Sequence, residues 1–381
     1  MRSTNVPATY PDPQRRPMSE SPLVSAEDHF TLAAFGFNNR GGMWFTSSED
    51  APRATWEETR DIALAAEAAG FEAVVPNARW KGFGGRTRYN EWGLEAIPWA
   101  AGLAAITSRI HIFATVHAPT IHPVRMAKEA ATIDHISGGR FGLNVVAGWN
   151  AAEMAMFDRE VKAHPDRYAF ATEWMDLVER LWTEDEEFDY AGEFFSAQGA
   201  ISRPHAIQSP RPLVMNAAIS ETGRRFAARF ADINFMVADD PENMAAYVKS
   251  VKRIAREDYG RDINVMTQIG IVLGDTEADA HRRLDHYIKE LGEWDAVRRF
   301  SDMNLKTAPD FSFDSKEMRV AMGHYSAPLV GTPEQVVEKI QGFKDAGITG
   351  AAVNWIDYSE GISEYDERIR PLLVEAGLRR Y

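Results

Sequence analysis

The sequence predicts an α/β protein, a (β/α)8 TIM barrel with insertion segments, and three observations carry that expectation. Eight short apolar runs alternate with amphipathic segments of helical period from residue 30 onward. The runs are nearly continuous hydrophobics, as strands of a parallel sheet covered on both faces must be. The chain's 381 residues are 45% hydrophobic, enough for one large core, and α/β barrels reach this size as single domains. Eight units favour closure into a barrel over the competing doubly wound open sheet.

Residues 1–27 are rich in Pro and Ser and lack periodicity, which predicts a flexible N-terminal arm ahead of a single barrel domain over 28–381. Phe30–Phe37 is the first expected strand. The helix behind it opens on Thr55-Trp56-Glu57-Glu58, where Thr and Glu can satisfy orphan backbone amides reciprocally, and stops at Gly70. Phe71–Pro76 and helix Leu94–Ser108 make the second unit. Ile110–Val116 and helix Pro123–Ile136, ended by Gly138-Gly139, make the third. Phe141–Ala147 is the fourth strand, followed by an excursion holding helix Arg167–Trp182 and a turn-rich segment from Glu184 to Pro212. Strands five to seven fall on Leu213–Ala217, Ile233–Val237 and Val265–Leu273, with helices starting at Ser220 and spanning Pro241–Glu257 and Glu277–Leu291. Residues 293–330 read as an irregular, lid-like loop. Helix Thr332–Ala346 then precedes the last strand, Gly350–Trp355, and a final helix follows Ser359.

The bulk numbers exclude several functions. A net charge of −14 opposes binding to nucleic acid or an anionic membrane, which need clustered Lys and Arg. With no cysteine, disulfides, thiolate nucleophiles and Cys-ligated metals are impossible, and redox chemistry needs a borrowed cofactor. The N-terminus carries Arg2, Arg15 and Arg16 but no apolar h-region, and no stretch reaches the roughly 20 apolar residues that span a bilayer, so a cytoplasmic protein is expected.

Barrel enzymes work at the C-terminal strand ends, where the βα loops gather. There the sequence places Asn77–Trp80, Thr115, His117, Asn144–Trp149, Ser220 and Asn354–Asp357. No lysine stands in an apolar strand end for Schiff-base chemistry. His117 and His122 sit among Pro119 and Pro123 rather than on one helix, so no metal is expected. Gly82-Phe83-Gly84-Gly85 lacks a phosphate-loop context and reads as a turn. What remains is amide, hydroxyl, indole and guanidinium groups around an apolar mouth, suited to holding a polar heterocycle and a phosphate. Ser220, heading Ser220-Glu221-Thr222-Gly223, either receives a phosphate with the first helical amides or is a plain N-cap. Arg167-Tyr168 either clamps that phosphate or makes a surface salt bridge and a packed ring.

The runs Gly82-Phe83-Gly84-Gly85-Arg86-Thr87, Ala101-Gly102-Leu103-Ala104 and Thr132-Ile133-Asp134-His135-Ile136-Ser137-Gly138-Gly139-Arg140 resemble the bacterial luciferase-like flavin-dependent monooxygenases. Within them the chain is most similar to the pyrimidine monooxygenases of uracil degradation, over residues 29–376 apart from the 293–325 loop. The resemblance implies reduced FMN (FMNH2) supplied by a separate NAD(P)H:flavin reductase, with O2 as co-substrate. It implies a flavin peroxide, N5-linked rather than C4a-linked, that oxygenates and cleaves a small heterocyclic or heteroatom-containing substrate. FMN contacts fall on Ala78, Arg79, Asn144, Glu153, Arg167, Tyr168 and Ser220, the last three on the phosphate. Thr115, Asn144 and Trp149 fall as catalytic positions at the flavin N5 edge where O2 collects, with the Thr115 hydroxyl and Asn144 amide expected to donate to a developing anion.

Phe235 is expected to wall that space, and Trp44, Trp80 and Trp355, with Met43, to line a pocket for a planar or apolar substrate. Family members assemble as homodimers or homotetramers, and the same is expected here. Ile356-Asp357, Arg88 and the long first loop Asn38-Asn39-Arg40-Gly41-Gly42-Met43-Trp44 depart from the pyrimidine pattern. A riboflavin lyase or a sulfone or sulfonate monooxygenase therefore stands beside the pyrimidine reading. Two readings of other classes are a deazaflavin-dependent hydride-transfer oxidoreductase and a non-catalytic flavin-binding protein. Intact Thr115 and Asn144 argue against the second.

Overall fold

Period-two patterning decides where each strand side chain goes, and in this chain it produces two cores. The computed structural model describes residues 15–25, 29–161, 163–218, 220–238, 240–305, 323–324 and 326–380. Eight parallel strands close on themselves: β1 Thr31–Phe35, β2 Ala73–Val75, β3 His111–His117, β4 Phe141–Val146, β5 Leu213–Asn216, β6 Ile233–Met236, β7 Asn264–Leu273 and β8 Gly350–Asn354. The ring is sealed by β8 on β1, with Gly350 opposite Thr31, and by β6 on β7, with Ile233 opposite Asn264.

Ile112, Ala114 and Val116 face outward with Leu32, Val74, Leu143 and Val353, beneath the apolar stripes of the surrounding helices. Phe113, Leu213, Met215, Ile233, Met266 and Ala352 face inward and fill the barrel. Phe113 needs the room that Gly142 leaves, since a Cβ there would lie 2.4 Å from its ring. The caps behave largely as expected. Thr55 accepts from Glu58 N, but the Glu58 carboxylate accepts from Arg53 N and Ala54 N instead of closing the box on Thr55. Thr332 and Gln335 do form a complete capping box.

Three segments differ from the sequence reading. Part of the turn-rich stretch before β5 is a hairpin, Phe188–Ala191 against Ser196–Ala200. The run 293–330 contains a helix, Trp294–Leu305, and a strand, Ala327–Gly331. The strand exists because β7 outruns β6: pairing with β6 ends at Thr267, and the edge left open pairs Ile269 with Ala327 onward. Residues 306–322 and 325 of that run lie outside the described residues.

In the N-terminal arm, 1–14 and 26–27 also lie outside them, while 15–25 docks on the barrel's N-terminal face. Arg16–Pro17 pairs with Gln208–Ser209, Ser21 Oγ meets His111 Nε2 at 3.1 Å, Leu23 is buried, and Asn264 Nδ2 donates to Leu23 O. Among the described residues, no helix is long and apolar enough to cross a membrane.

Candidate active site

Thr115 on β3 and Asn144 on β4 pair across the strands, both buried and both facing inward. Thr115 Oγ1 donates to Pro76 O at 2.5 Å and accepts from Asn144 Nδ2 at 3.1 Å. The hydroxyl's one proton is therefore committed to a carbonyl, so Asn144 can offer it only the amide nitrogen. Asn144 Oδ1 is left buried without a hydrogen-bond partner. The hydroxyl proton is thus spent within the pair, one amide N–H with it, and Asn144 Oδ1 stands open as an acceptor whose direction Thr115 fixes.

Glu153 is wholly buried on the short helix Ala151–Met154, whose N-cap Asn150 accepts from Ala152 N and Glu153 N. Its Oε1 accepts from Trp80 N at 3.0 Å and Lys81 N at 3.1 Å and lies 3.3 Å from the Arg79 guanidinium. Its Oε2 lies 3.7 Å from His117 Nε2, which sits 3.3 Å from Ala78 O. Burial lowers the His117 pKa, with the Glu153 charge opposing it. Glu153 thus pins the Ala78–Lys81 loop from behind. The Arg79 guanidinium lies over the rings of Phe83, at 4.8 Å, and Trp149, at 5.3 Å.

A second set of groups converges at the start of helix Glu221–Phe230. Ser220 Oγ accepts from Gly223 N. A Cβ on Gly223 would lie 2.6 Å from Ala218 Cβ, 2.7 Å from Tyr168 Oη and 3.0 Å from Ser220 Oγ, so glycine lets these groups close tightly on a helix N-terminus. Burial raises the Tyr168 pKa to about 12, which keeps the hydroxyl a donor, and burial lowers that of Arg167. Arg167 Nη1 donates to Gly148 O at 2.9 Å while its Nε is buried without a partner. A helix N-terminus, a hydroxyl and a guanidinium form a donor set whose chemistry fits a phosphate.

The sequence profile of the Luciferase-like monooxygenase family matches residues 38–350. The chain belongs to that family. It is an enzyme, a flavin-dependent monooxygenase. It is 32% identical over 341 residues to the pyrimidine monooxygenase RutA of Pseudomonas syringae pv. syringae, a match covering 87% of this chain and 93% of the relative. In fold it resembles a riboflavin lyase crystallised with a modified FMN and riboflavin, at TM-score 0.81 and 22% identity over 92% of this chain and 93% of that one. A long-chain alkane monooxygenase superposes at TM-score 0.80 and 20% identity, covering 92% of each chain.

The remaining candidates divide between the mouth and elsewhere. Phe235 on β6 packs on Phe35 at 5.7 Å inside the barrel, and buried Trp44 covers Gly270 with its Nε1 unpartnered. Trp355 does not join them. Strand parity turns Asn354 inward and Trp355 outward, where it packs on Phe71 and Tyr358 beneath the helices. Trp80 is 41% exposed, edge-on to Phe157, and faces a cavity of about 500 Å³ that runs from Thr115 and His117 outward between helices Ala96–Ile106 and Pro123–Ser137. His122 caps the latter helix by accepting from Val124 N.

The sequence reading missed the other walls of the mouth: Phe45, Phe83, Tyr89, Phe300 and His324. They come from three separate loops and a helix. Only Phe83, within the Gly82–Thr87 motif, carried any signal.

Proposed function

We propose that this enzyme is the oxygenating component of a two-component FMNH2-dependent monooxygenase. It takes reduced FMN from a separate NAD(P)H:flavin reductase and uses O2 to oxygenate and cleave a small planar heterocycle of the pyrimidine type. The observation that carries the reading is the orphaned Asn144 Oδ1, held as an acceptor by Thr115 at the barrel mouth. A reduced flavin carries N–H groups on the edge where an oxidised one carries a lone pair, so a fixed acceptor favours the reduced form.

Arg167, Tyr168, Ser220 and the first amides of helix Glu221–Phe230 would hold the phosphate. Glu153 would act through the Ala78–Lys81 loop, keeping its backbone in place. Bound there, reduced FMN supplies the two electrons that activate O2 for oxygen transfer. The chain's part is to orient, to offer an acceptor, and to exclude water with Trp149, Phe235 and the rings of the mouth, which strengthens every polar contact inside. We place the enzyme in the cytoplasm as a homodimer or homotetramer.

The test is an anaerobic FMNH2 titration followed by a pulse of labelled O2 in the presence of pyrimidines, sulfones and flavins, with products read by mass spectrometry. Label in a ring-opened pyrimidine is the expected result. Label in a flavin fragment would move the substrate to the riboflavin lyase reading. No FMNH2 binding would sink the whole proposal.

A further inference from the structure

His324 is half-buried among aromatic rings at the barrel mouth. Its ring lies 4.8 Å from Phe45, 4.6 Å from Phe300 in a near-perpendicular arrangement, and 5.9 Å from Tyr89, nearly parallel. Phe83 is 6.2 Å away and carries the Arg79 guanidinium on its other contacts, while Phe300 also meets Trp149 at 6.0 Å. The rings thus connect His324 to the Arg79–Glu153 loop and to Trp149. Phe300 is brought there by helix Trp294–Leu305, which is anchored by Glu293 accepting from Arg86 N at 2.8 Å and Thr87 N at 2.7 Å.

The chemistry of the imidazole follows from two neighbours. Nδ1 faces Met43 O at 3.3 Å, and a carbonyl only accepts, so Nδ1 carries the proton. Burial first, and then the Arg79 charge, push the pKa down to about 3, so the ring is neutral at physiological pH. Nε2 is therefore a lone-pair acceptor, buried and without a partner among the described residues. Buried histidines of purely structural use normally satisfy both nitrogens. His111 Nδ1 and His117 Nδ1 are likewise buried without a partner; His324 differs in that the groups the described residues place around its ring are the aromatic rings of Phe45, Phe83, Tyr89 and Phe300. The Tyr89 hydroxyl is spent on Gly42 O.

We propose that His324 is a substrate-recognising residue, whose Nε2 accepts a hydrogen bond from a ring N–H of a planar, uncharged heteroaromatic held among Phe45, Phe83, Tyr89 and Phe300. The inference rests on the monooxygenase reading above and narrows its substrate class. Stacking surfaces select planarity, and an unpartnered acceptor selects a donor by leaving any ring that lacks one with a desolvated Nε2.

The test uses the full chain and calorimetric titration, with and without FMNH2 under anaerobic conditions. The probes are uracil, 2-pyridone, xanthine and lumichrome, each beside its N-methylated form, with thymine as a C-methyl control for bulk. The wild type should bind at least one N–H ring about tenfold or more tighter than its N-methyl form. His324→Phe should lose that preference, and His324→Gln, which keeps an acceptor, should retain most of it. Should His324→Phe fail to fold, His324→Leu is read in its place against His324→Gln. No binding of any N–H ring, equal binding of N–H and N-methyl forms, or a preference that survives in the variant lacking an acceptor would each overturn the proposal. FMNH2 affinity is read separately: its absence in the wild type defeats the flavin reading, whereas intact flavin binding without N–H preference defeats only this one.

Discussion

At the N-terminal end of the barrel, Arg140 donates to the carbonyls of Ala104, Thr107, Ile110 and Ser137 and to Thr107 Oγ1. Asp134 accepts from Phe141 N and from both the backbone and side chain of Gln208, and Arg211 pairs with Asp232 while donating to Pro212 O and Phe230 O. At the C-terminal end, Asn144 Oδ1, Arg79 Nε, His117 Nδ1, Glu153 Oε2, Arg167 Nε, His324 Nε2 and Asn354 Oδ1 are all buried without partners. The N-terminal face has exceptions of its own, among them His111 Nδ1 and Gln208 Oε1. Arg15 Nε and Arg379 Nε are two more, so the contrast is one of degree: Arg140, Arg211 and Arg379 each still hold several carbonyl or carboxylate partners, and that has a physical meaning. A buried polar atom left unpaired costs about 1–3 kcal/mol, so a cluster of them persists only where something else supplies the partners. One end staples the fold; the other is set for a ligand.

The largest expected effect breaks the stapled end. Arg140→Met should destabilise the protein by about 3–5 kcal/mol, because four buried carbonyls lose their donor together. Below the melting transition, FMNH2 affinity should be unchanged. Denaturant unfolding and flavin titration on the same sample check both halves, and a parallel loss of flavin affinity at low temperature would mean that the two ends are coupled.

His111 gives the stapled end a pH signature. Burial lowers its pKa from 6.5 to about 4, with the Arg140 charge adding to the effect. The unfolded chain therefore takes up a proton as pH falls through 6.5 while the folded chain does not, and stability drops between pH 6.5 and 4. Above pH 6.5 the group makes no difference. Relative to His111→Gln, the wild type should lose about 3 kcal/mol more on going from pH 7 to 4. Matching urea midpoints for the two proteins across that range would count against a buried neutral imidazole.

Much of this asymmetry was legible in the sequence, but unevenly. The Thr132–Arg140 block identifies the family because Asp134 and Arg140 staple β4 to its neighbours, and such residues sit at fixed spacing around one helix end. Periodicity located all eight strands, since a strand buried on both faces has little freedom of composition. Trp355 was misplaced because a tryptophan at a strand end looks like a pocket wall until parity is counted: Asn354 faces inward, so its neighbour cannot. His324 and Phe300 were invisible for another reason. They lie in a stretch without period, and their place at the mouth depends on contacts with distant residues such as Phe45 and Phe83, more than two hundred positions away.

The ligand-ready end can be broken at the start of helix Glu221–Phe230. Gly223→Ala puts a methyl group 2.6 Å from Ala218 Cβ, 2.7 Å from Tyr168 Oη and 3.0 Å from Ser220 Oγ, which forces apart the hydroxyls proposed to hold the phosphate. FMNH2 affinity should fall about tenfold or more, about 1.4 kcal/mol, while reduced riboflavin, which lacks the phosphate, should bind as to the wild type. Equal losses for both flavins would place the phosphate elsewhere.

The smallest effect tests how the mouth is wired. Thr115 Oγ1 touches Pro76 O and Asn144 Nδ2, so its role is to hold Asn144 Oδ1 toward the site. Removing the hydroxyl frees the amide to rotate and to present nitrogen where oxygen belongs, at a cost of about 1 kcal/mol in the site's preference for an N–H edge. Thr115→Ala should therefore bind FMNH2 within about a factor of five of the wild type, by that same 1 kcal/mol bound. Product formed per O2 consumed should fall, with the difference appearing as H2O2. Thr115→Ser keeps the hydroxyl and should restore coupling, which a purely steric account of the lost methyl group would not allow. If both variants couple as well as the wild type, Asn144 does not need Thr115 to orient it, and the acceptor assigned to Oδ1 loses its basis.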